Sequence, residues 1–199
     1  MAFVIIGLGN PGGEYARTRH NAGRMAVELL ALQEGAEFAL RKVSNASVAT
    51  TEVEGEKVQL IIPEVFMNMS GKAASPFVKS VKAARKLLVV RDDLDLPLGV
   101  LKMTVYGRGS GGHKGVESIM RALKTKEFAQ LKVGISSATP KGKVKKPNSE
   151  EKVIDHVIGK FSPKEELVLK KSLEKATESI RYFVSEGIEK AMLETNTKT

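Results

Sequence analysis

The sequence predicts an α/β fold: a single domain in which a mixed central β-sheet is flanked by helices on both faces. Short apolar runs rich in β-branched residues alternate along the chain with segments of helical periodicity. The chain has 199 residues, the length of one ordinary domain, so we expect residues 1–199 to form one domain. Hydrophobic residues make up 42% of the chain and charged residues 28%, a balance that excludes wholesale disorder.

The first predicted unit is a strand, a loop and a helix. Phe3–Ile6 is an apolar, β-branched run that stops at the glycine-rich segment Gly7–Gly13, which indicates a buried strand entering a tight loop. Helical spacing begins after Asn21, which can cap the helix, and Gly35 can end it. The apolar positions of this helix are Ala22, Met25, Ala26, Leu29 and Leu30.

Further elements follow along the chain. The predicted strands are Ser47–Val53, Val58–Ile62, Leu87–Arg91, Leu101–Tyr106 and Leu131–Ile135. Helices are predicted near Gly71–Ser80 and Val116–Lys124, and a basic loop is predicted around residues 136–152. Ser162, Pro163 and Glu165 combine a cap, a first-turn proline and a capping-box glutamate, which predicts a long C-terminal helix from about residue 163.

Composition narrows the class of function. The chain has no cysteine, which excludes a disulfide scaffold, a thiolate zinc site and a cysteine nucleophile. A net charge of +9 and a pI near 9.6 favour a polyanionic partner such as nucleic acid, although solubility alone would also account for the charge. The opening apolar run is far shorter than a signal-peptide core and no later run approaches a membrane span, so we expect a cytoplasmic protein.

Two glycine-rich segments have the spacing of nucleotide-binding loops. Gly7, Gly9 and Gly12 match the dinucleotide fingerprint, but polar residues follow Gly12 where that fingerprint requires a helix. Gly107–Lys114 is similar to a phosphate-binding loop, but His113 interrupts the required Gly-Lys pair. Both signals are weak, and a nucleotide-dependent enzyme is a minor alternative.

Polar side chains are found where predicted strands end, the usual place for chemistry in an open α/β sheet. Asn10 follows the first strand and His20 precedes the first helix. Asn68 follows a later strand, and Asp92 and Asp93 terminate another. Paired aspartates also form caps and turns, so a structural role for them stays open.

Two chemical roles are open for this cluster. Asp92, Asp93 and Asp95 could bind a divalent cation through oxygen ligands, although their spacing matches no known loop. A histidine beside an aspartate suits a general base acting on water, with the carboxylate fixing the tautomer. Asn10 and Asn68 could then hold a carbonyl oxygen as it gains charge.

Four motifs follow one another along nearly the whole chain. They are Ile6–Tyr15 with Arg19–Gly23, Phe66–Gly71, Asp92–Gly99 and Gly109–Gly115. Together they resemble the signatures of the bacterial peptidyl-tRNA hydrolase family. The resemblance implies a monomeric α/β enzyme that hydrolyses the ester between a peptide and the 3′ end of tRNA, without cofactor or metal, and so recycles tRNA.

The resemblance also implies roles for individual residues. His20 is expected to be the general base for water, and Asp93 to orient and support it. Asn10 is expected to help discriminate N-blocked peptidyl esters from free aminoacyl-tRNA. The residues expected to line the substrate cleft are Tyr15, Phe66 and Asn68.

The chain departs from the family pattern in two places. Lys114 stands where the family usually has an asparagine, and we expect it to donate to a substrate carbonyl or phosphate while gripping the peptide differently. The arginine that commonly follows the strand Leu131–Ile135 is absent. We expect nearby lysines to replace it as a looser surface for the tRNA acceptor stem: Lys141, Lys143, Lys145 and Lys146, with Lys102 as a further phosphate contact.

One alternative from another class stays open. Lys114 is compatible with a noncatalytic RNA-binding protein on the same scaffold. The joint presence of His20, Asp93, Asn10 and Asn68 favours the enzyme.

Overall fold

The structure is a computed structural model that describes residues 2–139, 144–145, 147 and 149–197. The strands are β1 Phe3–Gly7, β2 Ala39–Arg41, β3 Ala46–Val53, β4 Glu56–Pro63, β5 Leu87–Pro97, β6 Leu101–Thr104 and β7 Ala129–Ser136. The α-helices are α1 Ala22–Gln33, α2 Ser70–Ala74, α3 Val81–Ala84, α4 Lys114–Leu123, α5 Glu150–Ile158, α6 Pro163–Glu186 and α7 Ile188–Thr197. Short 3₁₀ helices span Arg19–Asn21, Lys42–Ser44 and Met67–Met69.

The seven strands form one mixed sheet in the order β2-β3-β4-β1-β5-β7-β6. The central strands β4, β1, β5 and β7 are parallel, whereas β2, β3 and β6 pair antiparallel with their neighbours. The predicted α/β fold with a mixed central sheet is confirmed. Because parallel strands end at one edge, the loops after β1, β4 and β5 meet there.

The sheet has an apolar core on each face. On β5, Leu88 and Val90 pack with α1 and α6, whereas Leu87 and Val89 pack with α2 and α4. This alternation follows from the two-residue period of a strand, whose successive side chains point to opposite faces. Helices therefore cover both faces, as the sequence predicts.

Several boundaries differ from the prediction. β5 does not end at Arg91 but runs on through Asp92 and Asp93, whose charges have partners inside the structure. The helix expected over Gly71–Ser80 ends at Ala74, because Pro76 has no backbone N–H with which to continue the helical hydrogen bonds, and α3 begins only at Val81. The strand β2 and the helices α5 and α7 are short and were not predicted from the periodicity.

The helix α5 begins within the predicted basic loop, whereas α6 begins where it was predicted. Ser149 caps α5 by accepting from the amide of Lys152, so residues 150–152 of that loop are helical. α6 begins at Pro163 with the capping box formed by Ser162 and Glu165. None of the helices in the described ranges has both the length and the apolar character needed to cross a membrane.

Candidate active site

A cleft of about 310 Å³ opens at the carboxyl end of β5. Its walls come from β5, from the loop before α4 and from the apolar side chains Val153, Ile154 and Val157 of α5. The polar side chains that line it include His20, Asp92, Asp93, His113, Lys114 and Glu150. The structure therefore brings the two aspartates, the predicted base and Lys114 to one cavity.

His20 contacts Asp92 directly. Nδ1 of His20 lies 2.9 Å from Oδ1 of Asp92 and 3.1 Å from Oδ2. An ionised carboxylate only accepts hydrogen bonds, so Nδ1 of His20 carries the proton and donates it. Nε2 is then left with a lone pair. A histidine held in this tautomer is able to accept a proton from water at Nε2.

The predicted partnership of His20 with Asp93 is wrong. Asp93 instead accepts from Arg91 Nη1 at 3.0 Å, from Lys132 Nζ at 3.1 Å and from the amide of Asp95 at 2.7 Å. The reason is strand alternation: Arg91 and Asp93 share one face of β5, and Asp92 points to the other. That other face is the one covered by α1, which directly follows His20.

A second histidine, His113, joins the pair. Its Nε2 lies 2.9 Å from Oδ1 of Asp92, and its Nδ1 accepts from the amides of Gly115 and Val116 at 3.2 and 3.4 Å. His113 is thus the N-cap of α4. In the sequence it stood out only as an interruption of a phosphate loop. Its position between a glycine pair and a helical segment was the available signal for a capping side chain.

Burial and neighbouring charges have opposite effects on the pKa values of His20, Asp92 and His113. Burial opposes a charge on His20, but the charge and hydrogen bond of Asp92 outweigh it and raise the pKa of His20 above its ordinary value. Burial also opposes the charge of Asp92, yet the two histidines hold the pKa of Asp92 well below its ordinary range. Burial prevails at His113, whose pKa is lowered, so this ring stays neutral. Asp92 is therefore the anionic centre of the group.

The side chains of these three residues are spaced closely enough to hold a metal ion. His20, Asp92 and His113 each offer a ligand atom, and these atoms lie within 4.8 Å of one another. The tautomer of His113 opposes coordination: two backbone amides donate to its Nδ1, so the proton resides on Nε2, the atom that faces Asp92. A metal needs a lone pair at that atom. The arrangement therefore fits a hydrogen-bonded network better than an ion.

A close helix–strand contact sets the distance between His20 and Asp92. A Cβ atom built on Gly23 in α1 would lie 2.2 Å from the carbonyl oxygen of Val90 in β5. Only glycine allows the two backbones to approach so closely. This approach brings the segment that carries His20 against the end of β5.

Asn10 is fixed beside this segment. Its Oδ1 accepts from the amide of Met67 at 2.8 Å, and its backbone exchanges two hydrogen bonds with the side chain of Asn21. Because the oxygen is engaged, Nδ2 is the part of Asn10 that can donate to a substrate. The sequence singled out Asn21 only as a cap for the first helix, but its side chain makes no capping hydrogen bond and instead ties Asn10 to the His20 segment.

The residues predicted to line the substrate cleft lie along this same edge. Tyr15 and Phe66 meet edge to face, with ring centroids 6.3 Å apart, and Phe66 is 56% exposed. Asn68 is exposed on the short helix Met67–Met69. Phe66 and Asn68 flank Met67, whose amide donates to Asn10, and Tyr15 contacts Phe66.

Lys114 is the first residue of α4 and lies at the mouth of the cleft. Its Nζ is 3.5 Å from Oε1 of Glu150, the first residue of α5. Both side chains are largely exposed, so the pair contributes little to stability. It does place a cation on the rim of the cavity that holds His20.

A second cavity, of about 460 Å³, is lined by residues of β6, by Lys132 of β7 and by the loop that contains Arg108. Three cations line it: Lys102, Arg108 and Lys132. Of these, only Lys102 was predicted from the sequence, because nothing in the pattern shows that a strand and a loop bring Arg108 and Lys132 beside it. We call this cavity the basic groove.

The predicted lysine surface after β7 is described only in part. Lys145 is exposed, and its amide donates to the carbonyl of Ser137 at 2.9 Å. Lys141, Lys143 and Lys146 lie outside the described residues.

Comparison with known proteins agrees with these motifs. A family model described as peptidyl-tRNA hydrolase matches residues 4–199. The peptidyl-tRNA hydrolase of Carboxydothermus hydrogenoformans is 40% identical over 195 residues, which cover 98% of each chain. That of Chloroflexus aggregans is 38% identical over 192 residues, which cover 96% of each chain.

Comparison with solved structures agrees with the sequence comparison. The crystal structure of peptidyl-tRNA hydrolase from Acinetobacter baumannii matches with a TM-score of 0.86 at 33% identity, covering 98% of this chain and 94% of that one. Sequence and structure match over nearly the full length of these relatives, so the agreement does not rest on isolated motifs. The chain belongs to the peptidyl-tRNA hydrolase family.

Proposed function

We propose that this protein hydrolyses the ester bond that joins the peptide to tRNA in peptidyl-tRNA, with His20 as the base that activates water. The observation that carries the proposal is the contact of 2.9 Å between His20 Nδ1 and Asp92, which leaves Nε2 available as a base. A noncatalytic RNA-binding protein would have no use for a buried carboxylate that fixes a histidine tautomer. The arrangement therefore supports hydrolysis over binding alone.

The reaction can be written from this geometry. Nε2 of His20 takes a proton from a water molecule as the water oxygen attacks the ester carbonyl carbon. The buried charge of Asp92 stabilises the imidazolium that forms. When the tetrahedral intermediate collapses, the bond to the ribose 3′ oxygen breaks and His20 returns the proton to that oxygen. The products are a free peptide carboxyl group and deacylated tRNA.

Asn10 is suited to binding the peptide part of the substrate. Because its Oδ1 is engaged, Asn10 offers Nδ2 as a donor for a peptide carbonyl, a group that a blocked peptidyl ester has and an unblocked aminoacyl ester lacks. Tyr15, Phe66 and Asn68 form the adjoining surface. We expect this surface to hold the peptide.

The basic groove is suited to binding the tRNA part of the substrate. Lys102, Arg108 and Lys132 concentrate positive charge within one cavity beside the active site. Clustered cations of this kind bind nucleic-acid phosphates without reading sequence. Lys145 adds a further exposed cation after β7. We expect the protein to act as a monomer in the cytoplasm, where its substrate is produced.

The decisive experiment measures release of N-acetyl-aminoacyl groups from tRNA by the purified protein, beside unblocked aminoacyl-tRNA. We expect cleavage of the blocked ester alone, and a loss of about 10²- to 10⁴-fold in kcat for the His20→Ala variant. Asp155→Asn, an exposed change on α5, serves as the matched control and should leave the rate unaltered. Binding of tRNA without cleavage would contradict the proposal and establish the RNA-binding alternative.

A further inference from the structure

Arg91 is a buried cation beneath the active site. Its residue exposure is 2%, and it occupies the stretch of β5 just before Asp92. Asp93 neutralises its charge through a contact of 3.0 Å. One carboxylate satisfies the charge of an arginine but uses only part of its five N–H donors. The hydrogen bonds of the remaining N–H groups show a second role for the Arg91 side chain.

Those donors reach neutral groups on three different segments. Nη1 donates to the backbone carbonyl of Asp92 at 2.8 Å, Nη2 to the carbonyl of Ser110 at 3.2 Å, and Nε to Oε1 of Gln130 at 3.4 Å. Charge compensation does not require these contacts, since none of the acceptors is charged. The contact with Ser110 connects β5 to the loop Gly107–Gly112, which we call the glycine loop, and the contact with Gln130 connects β5 to β7.

Gln130 completes the attachment from the neighbouring strand β7. It is fully buried, and its Nε2 donates to the carbonyls of Arg108 and Gly109 at 3.4 and 3.1 Å. Together with Arg91, it holds three successive carbonyls of the glycine loop, those of residues 108 to 110. Two buried side chains on adjacent strands thus fix one end of the loop.

The other end of the loop leads to His113. Gly111 and Gly112 lie between the anchored carbonyls and His113, with φ angles of 62° and 80°. Glycine at such angles is conformationally free and does not by itself fix the direction of the next residue. The position of His113 on Asp92 therefore depends on the anchored residues before the glycines as well as on α4 after them.

We propose that Arg91 is a positioning residue for the hydrolysis: it anchors the glycine loop to β5 so that His113 stays on Asp92 and Asp92 stays on His20. This inference rests on the proposed function of His20. At 2% exposure Arg91 offers almost no surface to a substrate, so it acts through the loop. Its planar fork of donors is essential, because a lysine at this position would keep the charge next to Asp93 but could not span Asp92, Ser110 and Gln130 at once.

The test compares Arg91→Met and Arg91→Lys with the native protein. Arg85→Met is the matched control, because Arg85 is an exposed arginine that pairs with Glu127 away from the cleft. For N-acetyl-aminoacyl-tRNA we expect kcat to fall about 10- to 100-fold in both Arg91 variants, because a catalytic group misplaced by about 1 Å costs a factor of this size. We expect KM to change less than about threefold, because the substrate surfaces stay in place. Loss of folded protein alone would lower the active fraction without lowering the rate per folded molecule, so thermal unfolding is followed in parallel.

A second readout does not depend on activity. The Nε2 proton of His113, buried and donated to Asp92, should give a slowly exchanging proton signal by NMR, assigned by its absence in His113→Asn. We expect this signal to be lost in Arg91→Lys and kept in Arg85→Met. If Arg91→Met does not fold, Gln130→Met tests the same anchor from β7.

The outcomes separate the two proposals. A native protein that fails to cleave the ester defeats the proposed function, while the NMR signal still decides whether Arg91 anchors the loop. An Arg91→Lys variant that is folded, retains the His113 signal and cleaves at the native rate would overturn the inference. A fall in kcat together with a lost His113 signal supports it.

Discussion

Asp92 and Asp93 are neighbours in the sequence but have different partners, and this difference can be measured. Asp92 raises the pKa of His20, and Asp93 is held by Arg91 and Lys132. A base works only when deprotonated, so kcat/KM of the native enzyme should rise with pH through a midpoint higher than the ordinary pKa of histidine. Asp92→Asn removes the charge that raises the pKa of His20, so the midpoint should move to lower pH while kcat falls about 10²- to 10⁴-fold.

The neighbouring variant is the control for this experiment. Asp93→Asn leaves the contact between His20 and Asp92 in place, so its pH midpoint should match that of the native enzyme. The measurement is the pH profile of kcat/KM for both variants on N-acetyl-aminoacyl-tRNA. A shifted midpoint in Asp93→Asn, with none in Asp92→Asn, would show that Asp93 supports the base after all.

Lys114 affects the same base from the rim of the cleft. Its positive charge lowers the pKa of His20, against the larger effect of Asp92. Lys114→Asn, which restores the usual family residue, should move the acidic midpoint of kcat/KM to higher pH and change KM, because an amide both donates and accepts. Losing the exposed pair with Glu150 should alter stability by less than about 1 kcal/mol.

An exposed lysine elsewhere provides the comparison for Lys114. Lys164→Gln on α6 removes the same charge away from the cleft and should leave KM and the midpoint unchanged. If Lys114→Asn behaves like Lys164→Gln, the side chain is a solvated surface group and grips no substrate.

At the scale of whole elements, the sequence predicts most of the architecture because apolar periodicity is a local property. The first strand, α1 and the start of α6 each have apolar spacing or cap residues within a few positions of one another. The extension of β5 could not be predicted in this way, because the charged groups at its end find their partners among residues distant in sequence. Lys132 lies on another strand and His113 precedes another helix.

The candidate site shows the same limit. Asn10, His20 and Lys114 could be found as polar residues in recognisable motifs. The choice between Asp92 and Asp93 required knowing which face of β5 α1 covers. Alternation along the strand, combined with the position of His20 just before α1, would have favoured Asp92.

The packing of α1 on β5 allows a prediction at this scale. Gly23→Ala places a methyl group 2.2 Å from the carbonyl oxygen of Val90, so the helix must move away from the strand. We expect a loss of about 1–3 kcal/mol or more in the free energy of unfolding, measured by denaturant titration. The displaced helix should also withdraw His20 from Asp92 and lower kcat.

Another glycine supplies the control for this substitution. Gly13→Ala should be close to neutral, because a Cβ atom there meets nothing within 4 Å. Equal stability of the Gly23→Ala and Gly13→Ala variants would mean that the close approach is not required.

At the scale of the whole molecule, part of the net charge of +9 is concentrated in the basic groove. The three cations of the basic groove lie beside the active site, and one of them, Lys132, also holds Asp93. Asp92 and Asp93 have their partners inside the structure: histidine hydrogen-bonds Asp92, and arginine and lysine pair with Asp93. The catalytic cleft can therefore keep a buried anion while the adjoining surface attracts a polyanion.

This arrangement predicts how tRNA affinity depends on salt. Each phosphate neutralised by the protein steepens the fall of log K with log salt by about 0.7 to 0.9. The double variant Lys102→Gln/Arg108→Gln should therefore bind deacylated tRNA more weakly, with a slope shallower by up to about 2, measured by fluorescence anisotropy over a salt series. Lys170→Gln/Lys171→Gln on the exposed face of α6 removes the same charge elsewhere and should leave the slope nearly unchanged. Equal slopes for the two double variants would mean that overall charge, and not the groove, attracts the tRNA.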